Sequence, residues 1–203
     1  MIMCYEPTSP KHREKDYIMP PRDPNIVIYY YEVEKKDVKC FRVAEYEDVY
    51  VICPRGEIKV VDRPGFYEVI TTPAKIVWVR SSKFILTIGV PRGILSGGIG
   101  INADISLYLQ NPDMFIGNIV TTEKEGKITL VDIKNELRKL LENAARNIQI
   151  DPKMERKKLV ANIHDEMNNL IRRTWLGGFV CDVQSIGFSF ECELSKLIDE
   201  LAR

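Results

Sequence analysis

At 203 residues the chain is long enough for one large domain, or one domain with a small extension, and 45% hydrophobic residues supply a sizeable core. Lys plus Arg (29) equals Asp plus Glu (29), so the formal net charge is zero. That balance excludes the global electrostatic footprint of a nucleic-acid or anionic-lipid binder, though not a local patch.

Residues 1–24 carry Pro7, Pro10, Pro20, Pro21 and Pro24, with Lys11, His12, Arg13 and Lys15 among them. The composition predicts a flexible or extended Pro-rich arm. It reads either as a basic docking arm or, as is commoner for charge runs, as a solvated tail. No apolar run of signal-peptide length is seen at the start, and no stretch nears the ~18 apolar residues of a spanning helix.

From Asn25 the sequence is β-rich. Strands are predicted at 26–34, 38–43, 48–53, 57–61, 66–71, 76–80 and 84–88. Pro54-Arg55-Gly56 is the turn of a hairpin, and Arg63-Pro64-Gly65 and Thr72-Pro73 punctuate the later strands. Residues 101–110 alternate strictly. Ile101, Ala103, Ile105, Leu107 and Leu109 face one side, and Asn102, Asp104, Ser106, Tyr108 and Gln110 face the other. Asn111-Pro112-Asp113 breaks that strand, and residues 114–120 form a short helix or turn packing Met114, Phe115 and Ile119.

Thr129 and Asp132 resemble a capping box opening a long helix. Leu130, Ile133, Leu137, Leu140, Leu141, Ala144 and Ile148 line one face of it. Asp151-Pro152 separates it from a second helix, expected over 152–176, with Leu159, Ile163, Met167, Leu170 and Ile171 as its stripe and Gly177-Gly178 as its stop. A strand over 179–190 follows. Its inward set shifts from Phe179, Cys181, Val183 to Ile186, Phe188, Phe190, which predicts a bulge or bend at Gln184-Ser185. Residues 194–203 read as a last short helix. Strands first and helices later indicate an α+β fold, a twisted antiparallel sheet or partly closed β-barrel packed by two long helices. The expected organisation is the arm, 1–24, followed by a single domain, 25–203.

Few residues form a chemical constellation. His12 and His164 are the only histidines, and no CxxC occurs, which argues against a zinc site with ordinary ligand spacing. Compartment logic favours free thiols in a reducing cytosol for Cys4, Cys40, Cys53, Cys181 and Cys192; in a hyperthermophile an internal disulfide gains weight. Cys53 has no base near it in sequence and reads as a core or edge cysteine. Gly97-Gly98-Ile99-Gly100 precedes a strand and lacks the Lys-Ser/Thr of a phosphate loop, so it reads as a turn. Asp165 and Glu166 point to faces other than that of His164, leaving an ordinary boundary histidine, with a single metal ligand as the minority reading. Trp175 fills a helix–sheet junction or joins an aromatic contact patch. Lys153, Arg156, Lys157, Lys158, Arg172 and Arg173 give the second helix a basic character, with Glu123, Glu125, Glu136 and Glu142 as complements. The plain reading is a solvated helix face; the functional one is a subunit interface of complementary charge.

The chain resembles an SPFH, or band 7, domain of the stomatin, prohibitin and flotillin group. The resemblance rests on the segment Glu45–Tyr67 with Gly56 and Pro64-Gly65-Phe66-Tyr67, on the alternating strand followed by Asn111-Pro112-Asp113-Met114-Phe115, on the helix pair with Leu137, Leu141 and Leu170, and on Trp175-Leu-Gly-Gly-Phe-Val-Cys-Asp-Val183. It covers about Val43 to Leu194 and is nearest to the soluble, virion-core-like branch. Most members have an N-terminal membrane hairpin or helix and a long C-terminal coiled coil; neither is seen here. The resemblance implies a non-enzymatic, cytoplasmic module, either wholly soluble or peripheral to a membrane. It would assemble into homo-oligomeric rings, shells or filaments through the domain itself and organise partner proteins. No catalytic, cofactor or metal residues are assigned. The candidate interface is Lys153, Arg156, Lys157, Arg172, Arg173 and Trp175. The alternative is a monomeric adaptor that holds a membrane protein, a protease or a nucleic-acid complex through Lys11, His12, Arg13 and Lys15, although the charge balance argues against nucleic acid.

Overall fold

A computed structural model describes residues 4–9, 17–35, 39–61, 63–80, 83–91, 100–119, 125–148 and 155–189. The architecture is mixed α+β, with twelve strands in three sheets and three helices among these residues. Among the described residues no sheet closes into a barrel. No helix among the described residues is long and apolar enough to cross a membrane. The chain divides into two compact units, Met1–Ser82 with Ile119–Asp132, and Lys83–Asn118 with Ile133–Arg203.

Among its described residues the first unit is β apart from the last residue of one helix and the start of another. One sheet has β1 (Tyr5–Pro7), β7 (Gly65–Val69), β4 (Cys40–Val43) and β2 (Tyr17–Ile18) in that order. The other has β11 (Glu125–Thr129), β3 (Ile26–Val33), β8 (Ala74–Val79), β5 (Asp48–Ile52) and β6 (Ile58–Val61). The expected hairpin at Pro54-Arg55-Gly56 is formed. Gly56 has φ +81° and returns its N–H to the Cys53 carbonyl at 2.8 Å, a backbone conformation that suits glycine. All strand pairs here are antiparallel except β2 with β4.

Aromatic residues fill the core of this unit. Phe41 stacks on Tyr67 at 5.5 Å and meets Trp78 edge-on at 6.2 Å, contacts worth about 0.5–1.5 kcal/mol each beyond burial. The buried Trp78 indole donates to the Arg42 carbonyl at 3.0 Å, so its polar atom is satisfied. The stretch read as a flexible or extended arm contributes β1 and β2. Tyr5 and Tyr17 supply apolar surface that outweighs the prolines, and Pro7 ends an edge strand, where a missing N–H costs little. A disulfide joins Cys4 to Cys53, with Cα atoms 5.8 Å apart. It corrects the free-thiol reading for these two residues. The folded β1 places two cysteines 49 positions apart in sequence within bonding reach, which spacing alone does not reveal. Cys40 and Cys181 are buried.

The second unit has a three-stranded antiparallel sheet in the order β12 (Phe179–Ser189), β10 (Gly100–Leu109), β9 (Lys83–Val90). The bulge stands where the pattern put it: Asp104 faces Ser185 and Ile105 faces Val183, leaving Gln184 as the extra residue. The alternation of β10 holds except at Ser106, which is buried on the face expected to be polar. Helix α1 (Pro112–Ile119) buries Phe115, Ile116 and Ile119. Met114, expected to pack, is 40% exposed; it stands in the first turn, where Asn111 Oδ1 accepts its N–H at 3.0 Å.

Helix α2 (Leu130–Ile148) starts at the expected box. Thr129 N–H and Oγ1–H both donate to Asp132 Oδ2, at 2.7 and 2.6 Å, and Asp132 N–H returns to Thr129 Oγ1 at 3.3 Å. These bonds hold the Asp132 carboxyl below its usual range. Ile133, Leu137, Leu140, Leu141, Ala144 and Ala145 are its buried face. Helix α3 (Arg156–Ile171) buries Leu159, Ile163, Met167 and Ile171, a strict i, i+4 stripe that leaves Leu170 half-buried. It ends five residues before the expected stop at Leu176. Thr174 takes over the last turn: its hydroxyl donates to the Ile171 carbonyl and accepts the Leu176 N–H. Gly178, at φ +102°, then turns the chain into β12. The separator Asp151-Pro152, Gly97-Gly98-Ile99 and the 194–203 helix lie outside the described residues.

Candidate functional site

The two edges of the three-stranded sheet carry the features most open to recognition. Along β12 the edge is occupied. Asn168 of α3 accepts the Cys181 N–H at 2.9 Å and donates to the Cys181 carbonyl at 2.8 Å, as a neighbouring strand would. Its amide also donates to the His164 carbonyl at 2.9 Å. Near the other end of α3, the Arg156 guanidinium donates to the Ile186 carbonyl at 2.9 Å. Helix α3 therefore runs antiparallel to β12 and covers its edge.

Along β9 only one side is paired among the described residues. Phe84, Leu86, Ile88 and Val90 are buried, while Lys83, Ile85 and Thr87 are exposed, Ile85 by 70%. The strand is eight residues long and carries no proline. Across the exposed face of the sheet, Asp104 accepts from Ser185 Oγ at 2.6 Å and from Thr87 Oγ1 at 2.8 Å, linking all three strands. These two hydroxyls hold the Asp104 carboxyl below its ordinary value. Ser106 lies on the same strand, two residues on, and its buried hydroxyl has no hydrogen-bond partner among the described residues.

The residues singled out from the sequence do not form one patch. Arg156 and Lys157 stand at the start of α3, while Arg172 and Arg173 follow its end, about 24 Å away along a 16-residue helix. All four are exposed, and Trp175 is half-buried. The expected acidic complements are engaged elsewhere: Glu125 accepts from Tyr29 at 2.7 Å, Glu136 pairs with Lys139, and Glu142 pairs with Arg146. Burial, then that bond to Glu125, raises the Tyr29 hydroxyl well above its usual pKa. Lys153, Glu123 and the arm residues Lys11, His12, Arg13 and Lys15 lie outside the described residues. Burial, aided by the Asp182 carboxylate, pushes the Cys181 thiol up to about 12, the reverse of an activated nucleophile. Among the described residues no three His, Cys, Asp or Glu side chains gather as metal ligands.

A polar cleft of about 660 Å³ opens where β10, α1, α3 and the start of β12 meet. Its floor is built from backbone. The Gly178 carbonyl accepts the N–H groups of both Gln110 and Asn111, at 3.0 and 2.9 Å. A Cβ at Gly178 would overlap the Asn111 carbonyl and come within 2.8 Å of Phe115, so the crossing needs glycine. His164 lies on the wall, with Nδ1 3.9 Å from Asp182 Oδ1. Gln110, Asp165, Asn169 and Arg172 complete the polar rim, with Tyr108 and Met114 as its apolar part.

Sequence reasoning assigned no role to Asn168, Gln110 or Asn169. The one signal for Asn168 was a poor helix former next to the apolar stripe at Met167. A scan against protein-family models finds no match, and no curated protein matches the chain significantly.

Proposed function

We infer that the chain is a non-enzymatic scaffold module that associates with copies of itself, in the manner the SPFH/band 7 resemblance implies, and presents partner proteins on the assembly. The outer edge of β9, which no described strand pairs, carries this reading. An unprotected strand edge offers a row of N–H and C=O groups to another strand, and proteins that stay apart blunt such edges with prolines, bulges or charges. Here Lys83 is the one charged residue of the strand, and it stands at its end. An antiparallel pairing of β9 with β9 of a second copy about a two-fold axis, Lys83 opposite Gly89, puts the two Lys83 residues about 20 Å apart, so no like charges face each other. Ile85 then lies beside its counterpart strand instead of in water. A second, heterologous contact would extend such pairs into rings, shells or filaments.

Light scattering after size exclusion tests the reading. A mass above 23.4 kDa that persists as salt rises is expected, since main-chain pairing and apolar contact are poorly screened. Ile85→Lys should return the mass towards the monomer. A mass that falls with salt would instead assign association to the charged ends of α3. A monomer at every concentration would overturn the reading.

A further inference from the structure

We propose that the cleft at the start of β12 binds a short saccharide, an uncharged and hydroxyl-rich ligand. Its volume, about 660 Å³, is in the range of small-molecule sites and holds two or three sugar rings. Its polar groups divide into two sets. Asn168 and Asn111 are committed to backbone, as is the Gly178 carbonyl, and they fix the shape of the floor. The side chains of Gln110, Asp165, Asn169 and Arg172 make no hydrogen bond or ion pair with any described residue. They stand on a floor already formed, so the ordering that binding requires is confined to these side chains.

The chemistry of that free set selects the ligand. Amide side chains offer a donor and an acceptor side by side, which matches a hydroxyl group that both donates and accepts. Arg172 supplies further donors and Asp165 further acceptors, and their charges cancel. They sit seven residues apart on or just past α3, about 10.5 Å along its axis, too far to satisfy one another and far enough to bracket a chain of rings. An inorganic anion would meet Arg172 but also the carboxylates of Asp165 and, behind His164, Asp182. Tyr108, 37% exposed, and Met114, 40% exposed, supply the apolar surface on which the C–H face of a sugar ring rests.

Amide chemical shifts of the ¹⁵N-labelled full chain read the site directly. Maltotriose, cellotriose and triacetylchitotriose are the probes, with triglycine and inorganic phosphate as the competing chemistries. At least one trisaccharide should shift the amides of Gln110, Asn169 and Val180, with a Kd of about 1 mM. Tyr108→Ala should weaken that binding about tenfold, and Asn169→Ala, at an exposed position, should weaken it with the spectrum otherwise intact. No shift with any trisaccharide, shifts that survive both substitutions, or tighter binding of triglycine or phosphate at the same amides would overturn the proposal.

Discussion

The two edges of the three-stranded sheet are finished in different ways. At β12 a helix lies along the edge, and Asn168 returns both backbone groups of Cys181 as a strand would. At β9 the strand is as regular and nearly as long, yet no described strand pairs its outer side. The difference shows where the chain stabilises itself and where it stays open to others. A backbone group closed off from water must be paired, and leaving one unpaired costs about 1–3 kcal/mol. An edge facing water has no such cost, and remains a template for pairing.

Asn168→Ala attacks the closed edge and should have the largest effect. It strands the Cys181 N–H and carbonyl beside a helix, for an expected loss of about 3 kcal/mol by denaturant unfolding. Asn168→Asp keeps the acceptor for the N–H but loses both donated bonds, so an intermediate loss is expected. Equal stability in both variants would mean that water already serves that edge.

Arg156→Ala removes one charge-assisted bond to Ile186 near the solvent and should cost about 1 kcal/mol. Asp104→Asn separates the face of the sheet from its edges. A carboxylate whose folded pKa lies below its unfolded value stabilises the fold above the unfolded pKa, near 3.9, and that contribution is lost as the pH falls through the folded pKa. The melting difference between parent and Asp104→Asn should therefore be present at neutral pH and close as the pH falls below the ordinary carboxylate range. A gap that does not change with pH would show that the hydroxyl contacts act without the charge. The smallest stability change is expected at the open edge. Ile85→Lys should stay within about 0.5 kcal/mol of the parent, its effect appearing in solution mass alone.

Much of the second unit, and the cap that opens α2, is legible in the sequence, because each feature has a local cause. The Thr129–Asp132 cap, the i, i+4 stripe of α3 and the slip at Gln184 each follow from neighbours a few residues apart. The early end of α3 was missed because the Thr174 hydroxyl competes with the backbone before Gly177 and Gly178 are reached. The first unit is less legible. Its strands could be marked, but not that β1 and β2 fold back from the proline-rich start, nor that Cys4 finds Cys53, since both depend on partners more than 20 residues away. The cleft was hidden for a similar reason. Gln110, Asn169 and Arg172 meet only once β10, α3 and β12 are assembled, and scattered polar residues leave no periodic trace. The basic face of α3, read as one interface, separates into two ends because helical rise spreads residues 16 apart over some 24 Å.

The Cys4–Cys53 bond makes the first quarter of the chain a covalent loop. A single protease cut anywhere between those two residues would leave the pieces joined. A nicked sample would then run as one band on a non-reducing gel and as two once reductant is added.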